Sequence, residues 1–129
     1  MDWTIEWLDE PGYVRVALSG PYSLDDIPLM VSDIGARQCW EPGRPLLIDD
    51  SRVDVVECKT RDIEKMSEIF SRLNDTFGES KVAVVAGSDL QYGLARQFQS
   101  LAEINTLARI GVFRCECDAV EWLAIGPEG

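Results

Sequence analysis

RPLLIDDSRVDVVECKTRDIEKM, residues Arg44–Met66, holds a short apolar run, two aspartates, a long connection and the start of a helix. Leu46, Leu47 and Ile48 are apolar at consecutive positions, as expected of an interior strand covered on both faces. From Thr60 the period changes. Ile63, Met66, Phe70, Leu73 and Phe77 step by three and four, and Gly78 supplies a stop. That spacing predicts an amphipathic helix over Thr60–Phe77. A buried strand followed by such a helix is half of a βαβ unit.

The alternation continues downstream. KVAVVAG, from Lys81, reads as a second interior strand. Ser88 with Gln91 three residues later fits a capping box, and Leu90, Leu94, Phe98 and Leu101 carry a helical stripe beyond it. RIGVFRC, from Arg109, reads as a further strand. Asp118 and Glu121 then repeat the capping pattern ahead of a short helix that buries Val120, Trp122 and Leu123. Upstream, DWTIEWL and YVRVALSG both alternate, with a turn at Pro11-Gly12 between them, so they read as a hairpin. Gly20-Pro21 breaks the second strand. Leu24, Ile27, Val31 and Ile34 have helical spacing, and Pro28 costs no hydrogen bond only if Asp25 or Asp26 is the cap.

The resulting order is β-β-α-β-α-β-α-β-α. The expected fold class is α/β: one domain over residues 1–129, with a mixed, mostly parallel sheet of about five strands and about four helices.

Composition removes several functions. The formal net charge of −11 repels phosphate backbones and anionic membranes, so no nucleic-acid partner is expected. No apolar run approaches the roughly 18–20 residues of a membrane span. The acidic N-terminus lacks the basic region of a secretory signal, which points to a cytoplasmic protein. There is no histidine, the commonest general base and transition-metal ligand. Cys39, Cys58, Cys115 and Cys117 form no CxxC pair, so they are expected to be buried or inert thiols. No metal or cofactor is expected.

The candidate site residues lie around the opening stretch. Asp49 and Asp50 sit where an open α/β sheet binds ligands, beyond a strand's C-terminal end, but no catalytic partners stand at fitting positions. Their expected work is to solvate the strand end and cap local turns. The connection Ser51–Lys59 is long for a β–α loop and carries Val53, Val55 and Val56. It reads equally as a partner-binding loop or as a satellite cluster on the core. Thr60 is expected to cap the helix after it, and Thr60 or Ser51 could take a phosphate. Gly87 and Ser88 open a helix whose N-terminus could hold an anion. Trp3, Trp7 and Trp122 are assigned to the core by periodicity, and Trp40 mainly to packing.

With these elements placed, the chain resembles the SpoIIAA-like family, which groups with STAS domains and is sometimes described alongside CRAL-TRIO domains. The resemblance rests on the opening hairpin, LLIDDS, KVAVVAGSDLQYGLARQFQSLAE and GVFRCECDAVEWL, and covers nearly the whole chain. It implies a STAS-type domain. STAS domains of the anti-sigma antagonist type are phosphorylated on a serine in an Asp-Ser-Ser-Gly-like motif. Here the matching region reads ECKTRDIEKM, without Ser-Ser-Gly, and Thr60 is the positional counterpart. The CRAL-TRIO side implies a pocket for a lipid or other apolar ligand.

The first expectation is therefore a non-enzymatic regulatory or protein-interaction module with Asp49, Asp50, Ser51, Val55, Lys59, Thr60 and Ser88 on its binding surface. The alternative is a carrier of a small apolar or lipid-like ligand. An enzyme ranks last. An exposed first-strand edge would permit a homodimer.

Overall fold

A computed structural model describes residues 1–56, 58–71, 74–105 and 107–125. The two alternating segments pair as an antiparallel hairpin, β1 (Asp2–Leu8) and β2 (Tyr13–Pro21), with Ile5 opposite Val16. Gly12 takes a φ of 105° in the turn, a conformation that side chains rarely adopt. The chain continues through α1 (Asp26–Ala36), β3 (Leu46–Asp54), α2 (Thr60–Ser71), α3 (Asn74–Phe77), β4 (Lys81–Val85), α4 (Asp89–Asn105), β5 (Arg109–Phe113) and α5 (Glu116–Ala124). The strands lie in the order β1-β2-β3-β4-β5, and every pair after the first is parallel. The fold is α/β, with a mixed, mostly parallel five-stranded sheet.

Because the strand order is sequential, the connections all step the same way. Right-handed crossovers then put α1, α2 and α4 on one face of the sheet, and α5 takes the other. The side chains follow this division with period two. Val14, Val16, Leu46, Ile48, Val82 and Val84 pack with the α1, α2 and α4 layer. Tyr13, Leu47, Ala83 and Val85 pack with Ala119 and Leu123 of α5. Gly111 lets α5 come close, since a Cβ there would lie 3.2 Å from Trp122 and 2.8 Å from the Phe113 ring.

Several boundaries differ from expectation. The strand from Leu46 does not end at the aspartates but runs on to Asp54, because β2 continues to pair with it: Ser19 faces Arg52 and Pro21 faces Asp54. The first four residues of the expected Ser51–Lys59 loop, Ser51–Asp54, are therefore strand. The helix from Thr60 is described as α2 and the short α3; Leu73 of the expected stripe lies outside the described residues. Thr60 is not the cap. It is the first helical residue, and Asp62 accepts a hydrogen bond from the Lys59 backbone N–H at 2.9 Å, one half of a capping box displaced by one residue. Asp25 holds the cap position of α1 without a side-chain bond; backbone turns onto Ser23 and Leu24 lead the chain in instead. α5 starts at Glu116, so Asp118 and Glu121 lie inside it. Trp7 is 38% exposed beneath Arg44, while Trp40 is buried and donates to the Thr76 carbonyl at 2.8 Å. Cys115 and Cys117 are exposed, not buried, and all four thiols are free.

Candidate functional site

In β3, Leu46 and Ile48 face the α1, α2 and α4 layer, whereas Leu47 faces α5. Strand alternation therefore sends Asp49 and Asp50 to opposite sides of the sheet. They do not form an acidic pair. Asp49 joins a charged cluster on the α5 side. Its carboxylate accepts from Arg15 at 3.1 Å and from the Ser51 hydroxyl at 2.6 Å. Arg15 also pairs with Glu116 at the start of α5 and lies 3.7 Å from Glu6 on β1. The hydrogen bond to Glu116, foremost, holds Arg15 more firmly protonated. This cluster ties β1, β2, β3 and α5 together, and the expected local capping role fits Asp49 alone.

Asp50 meets a different environment. Between Ala17 and Ser19 of β2, the register of β3 advances from Asp49 to Arg52, so β3 carries one extra residue at Asp50–Ser51. Such a bulge re-aims side chains. Here it returns Val53 to the side that Ile48 occupies, where it is buried in the same core. Beyond Asp49, β3 also loses its pairing with β4. β4 ends at Val85, opposite Asp49, and beyond that point a cavity lies between the sheet and the three-helix layer. It has about 90 Å³ of room for the centre of a water-sized sphere. That is several times the roughly 10–15 Å³ that one water needs on this measure. Its walls are mainly apolar, with Met30 from α1, Ile63 and Met66 from α2, and Leu94 and Phe98 from α4.

Four polar side chains interrupt those walls: Tyr22, Asp50, Cys58 and Gln91. Gln91 is fully engaged. Its side-chain oxygen accepts from the backbone N–H groups of Gly87 (2.7 Å) and Ser88 (3.0 Å), and its amide nitrogen donates to the carbonyls of Ser51 (3.2 Å) and Val53 (2.9 Å). The Ser88 hydroxyl accepts from the Gln91 N–H at 3.1 Å. The expected capping box is thus present, and it reaches across to hold the β3 bulge. A Cβ on Gly87 would stand 3.0 Å from that of Ser51, so the helix entry and the bulge are in close approach. The N–H groups of Gly87 and Ser88 are already satisfied by Gln91, which removes the expected anion site there.

The other three polar groups are not satisfied in this way. The Tyr22 hydroxyl is buried and has no hydrogen-bond partner among the described residues. Asp50 has no hydrogen-bond or ion-pair partner among the described residues. Burial first, and then the charge of Asp49, push the Asp50 carboxyl up to about 7. Part of its surface still reaches solvent. Burial likewise raises the Cys58 thiol to about 11, reinforced by Asp62 and Asp50. The Tyr22 hydroxyl is pushed upward by burial, then by Cys58, Asp62 and Asp50. All three acids are held toward their protonated forms. No lysine or arginine lines the cavity among the described residues. Replacing Tyr22 by Phe removes the orphan hydroxyl without changing the ring, and is expected to stabilise the fold by about 1 kcal/mol. Urea unfolding checks this; a loss of stability would show that the hydroxyl has a partner.

Of the residues expected at the site, Asp50 and Val55 line the cavity. Asp49 and Ser51 bond to each other on the α5 side. Lys59 and Thr60 are exposed at the start of α2, and Ser88 caps α4. They do not assemble into one surface. Val56 is 74% exposed at the end of this segment. Tyr22, Cys58 and Gln91 were not foreseen as site residues. Only Gln91 carried a local signal, its spacing from Ser88. The groups described here include no cluster of three or more acidic or cysteine side chains arranged to hold a metal ion.

No protein-family model matches the chain, and no curated protein matches it. Among solved structures, it is similar to an uncharacterized protein of the DUF3478 family with a SpoIIAA-like fold from Shewanella loihica PV-4. The two share 22% identity over 95% of this chain and 92% of that one, with a TM-score of 0.56. That likeness is one of fold. No described helix is long and apolar enough to cross a membrane.

Proposed function

We propose that the chain is a non-enzymatic binding domain whose cavity, between the sheet and helices α1, α2 and α4, receives a small apolar ligand. The observation that carries this reading is the cavity itself: apolar walls with a buried Tyr22 hydroxyl and an Asp50 carboxyl that have no partner among the described residues. A domain optimised only for stability would fill such a space or satisfy such groups, because each costs free energy when left as it is. Mostly apolar walls with a few convergent polar groups are the usual make-up of a small-molecule site. The strand order supports the location. A sequential sheet has no point at which the order reverses, so the customary crevice of doubly wound folds is absent. The space lies under the helices instead.

The regulatory reading fits as a consequence of ligand binding. α2 and α4 both wall the cavity, so an occupant would set how the two helices sit on the sheet. A basic protein partner for the acidic surface rests on net charge alone. A phospho-switch at Thr60 or Ser51 has the exposed hydroxyls it needs, without the serine motif that the resemblance implies.

Native mass spectrometry of the protein from its own host tests the ligand reading. The expected result is an added mass that denaturation removes. The same measurement on Ala95→Phe, which projects a ring into the cavity wall, is expected to show the bare chain. If the parent protein carries no such mass and binds no neutral hydrocarbon or alcohol probe, the reading fails.

A further inference from the structure

The walls of the cavity say what length of apolar body fits, but its polar groups say what chemistry the other end must have. Hydrogen-bond capacity comes first. Gln91 is spent on backbone groups of Gly87, Ser88, Ser51 and Val53. That leaves the Asp50 carboxyl, the Tyr22 hydroxyl and the Cys58 thiol facing the space. A carboxylate only accepts, and a tyrosine hydroxyl accepts as readily as it donates. Once Asp50 has lost its proton, above about pH 7, the unmet demand is therefore mainly for donors.

Charge points the same way. The titratable groups acting on this end of the cavity are Asp50 and Asp49 on β3, Tyr22 after β2, Cys58 ahead of α2, and Asp62 on α2. Met1 also lines the space, and its terminal ammonium is already paired with Asp26 of α1 at 3.1 Å. α4 contributes the neutral Gln91. No described lysine or arginine lines the space. An anionic ligand group would meet uncompensated acids in a poorly solvated site, which is strongly unfavourable. A cation would be paired and hydrogen-bonded at once.

We propose that Asp50 and Tyr22 form the recognition site for the ammonium group of a small aliphatic or aryl amine, whose apolar body lies against Met30, Ile63, Leu94 and Phe98. The Asp50 carboxylate accepts hydrogen bonds from the ammonium and the Tyr22 oxygen accepts another. The donor demand that the protein leaves open is met by the ligand alone. This inference rests on the reading of the cavity as a ligand site, and it names the class of ligand.

The test is a matched series of hexylamine, 1-hexanol and hexanoate, followed by isothermal titration calorimetry at pH 8 on the full chain. Hexylamine is expected to bind about tenfold or more tightly than 1-hexanol, and hexanoate most weakly. Asp50→Asn is expected to bring hexylamine to the level of the alcohol. Tyr22→Phe is expected to weaken it several-fold. The amine stays charged between pH 6 and 8 while Asp50 gives up its proton, so its affinity should rise about tenfold over that interval in the parent chain. In Asp50→Asn it should stay level. Binding of 1-hexanol as tight as that of the amine, or tighter binding of hexanoate, would overturn the ammonium assignment and leave the cavity reading standing. Binding of none of the three would remove both.

Discussion

Asp50→Asn is expected to be more stable than the parent chain by up to about 4 kcal/mol at pH 8, and equal to it near pH 4. Burial and the Asp49 charge raise the folded carboxyl from 3.8 to about 7. Each unit of that rise is worth about 1.4 kcal/mol. Between about pH 4 and 7 the folded chain holds a proton that the unfolded chain has released. The stability that this proton contributes is therefore complete below about pH 4, is lost as pH rises through 7, and stays lost above it. The amide cannot ionise, so the variant escapes the loss. Partial solvent contact at Asp50 makes 4 kcal/mol the upper end. Urea unfolding of both proteins at pH 4, 6 and 8 gives the answer. A difference that did not grow with pH would mean that the carboxyl is solvated in the folded chain. A carboxyl that weakens its own fold at neutral pH is the kind of residue that binding sites retain and cores do not.

Gln91→Ala is expected to cost roughly 3 kcal/mol or more. The side chain is only 9% exposed, and its amide makes four hydrogen bonds to backbone groups on two elements remote in sequence. Truncation leaves the Gly87 and Ser88 N–H groups and the Ser51 and Val53 carbonyls without that partner. It also frees the β3 bulge from the entry to α4. Gln91→Glu separates the two halves of this role. A carboxylate could still accept from Gly87 and Ser88, but it would face the two β3 carbonyls as an acceptor opposite acceptors. Its protonated form can donate to one of them. The Glu variant should therefore lose more stability at pH 8 than at pH 5, while the Ala variant should lose the same at both. Thermal unfolding at the two pH values checks this, and a mild loss in Gln91→Ala would mean that water replaces the amide. The same substitution should disturb ligand binding, since the bulge that it holds carries Asp50.

The two predictions concern residues that differ in how far sequence discloses them. Ser88 and Gln91 are three apart, and a capping box is built from a serine, a glutamine and the backbone between them. Its geometry is local, so it is legible. The reach of the same glutamine to Ser51 and Val53 is not, because those partners lie about 40 residues away. Asp50 was legible as a residue of interest but not for the right reason. With the strand expected to stop at the aspartates, the pair read as one polar strand end. β2 prolongs β3 through a pairing that no local pattern announces, and continued alternation then parts the two carboxyls.

Tryptophan burial shows the same limit. Trp7 keeps the alternating period yet stands half in solvent near the hairpin turn, while Trp40, outside any periodic segment, is closed over by Phe77 at a ring distance of 5.9 Å. Periodicity tells which residues share a face. It does not tell whether a neighbour arrives to cover that face.

By itself the sequence determined the order of elements, the antiparallel start, the parallel remainder and the α/β class, because each rests on runs of a few residues whose period and end signals are local. The tertiary structure alone decided that Asp49 and Asp50 part company, that Gln91 spans two elements, and that a cavity remains beneath three helices. A cavity is what is left where side chains from β2, β3, α1, α2 and α4 fail to meet. Its size and chemistry depend on how elements remote in the chain pack against one another, and no stretch of residues carries that information alone.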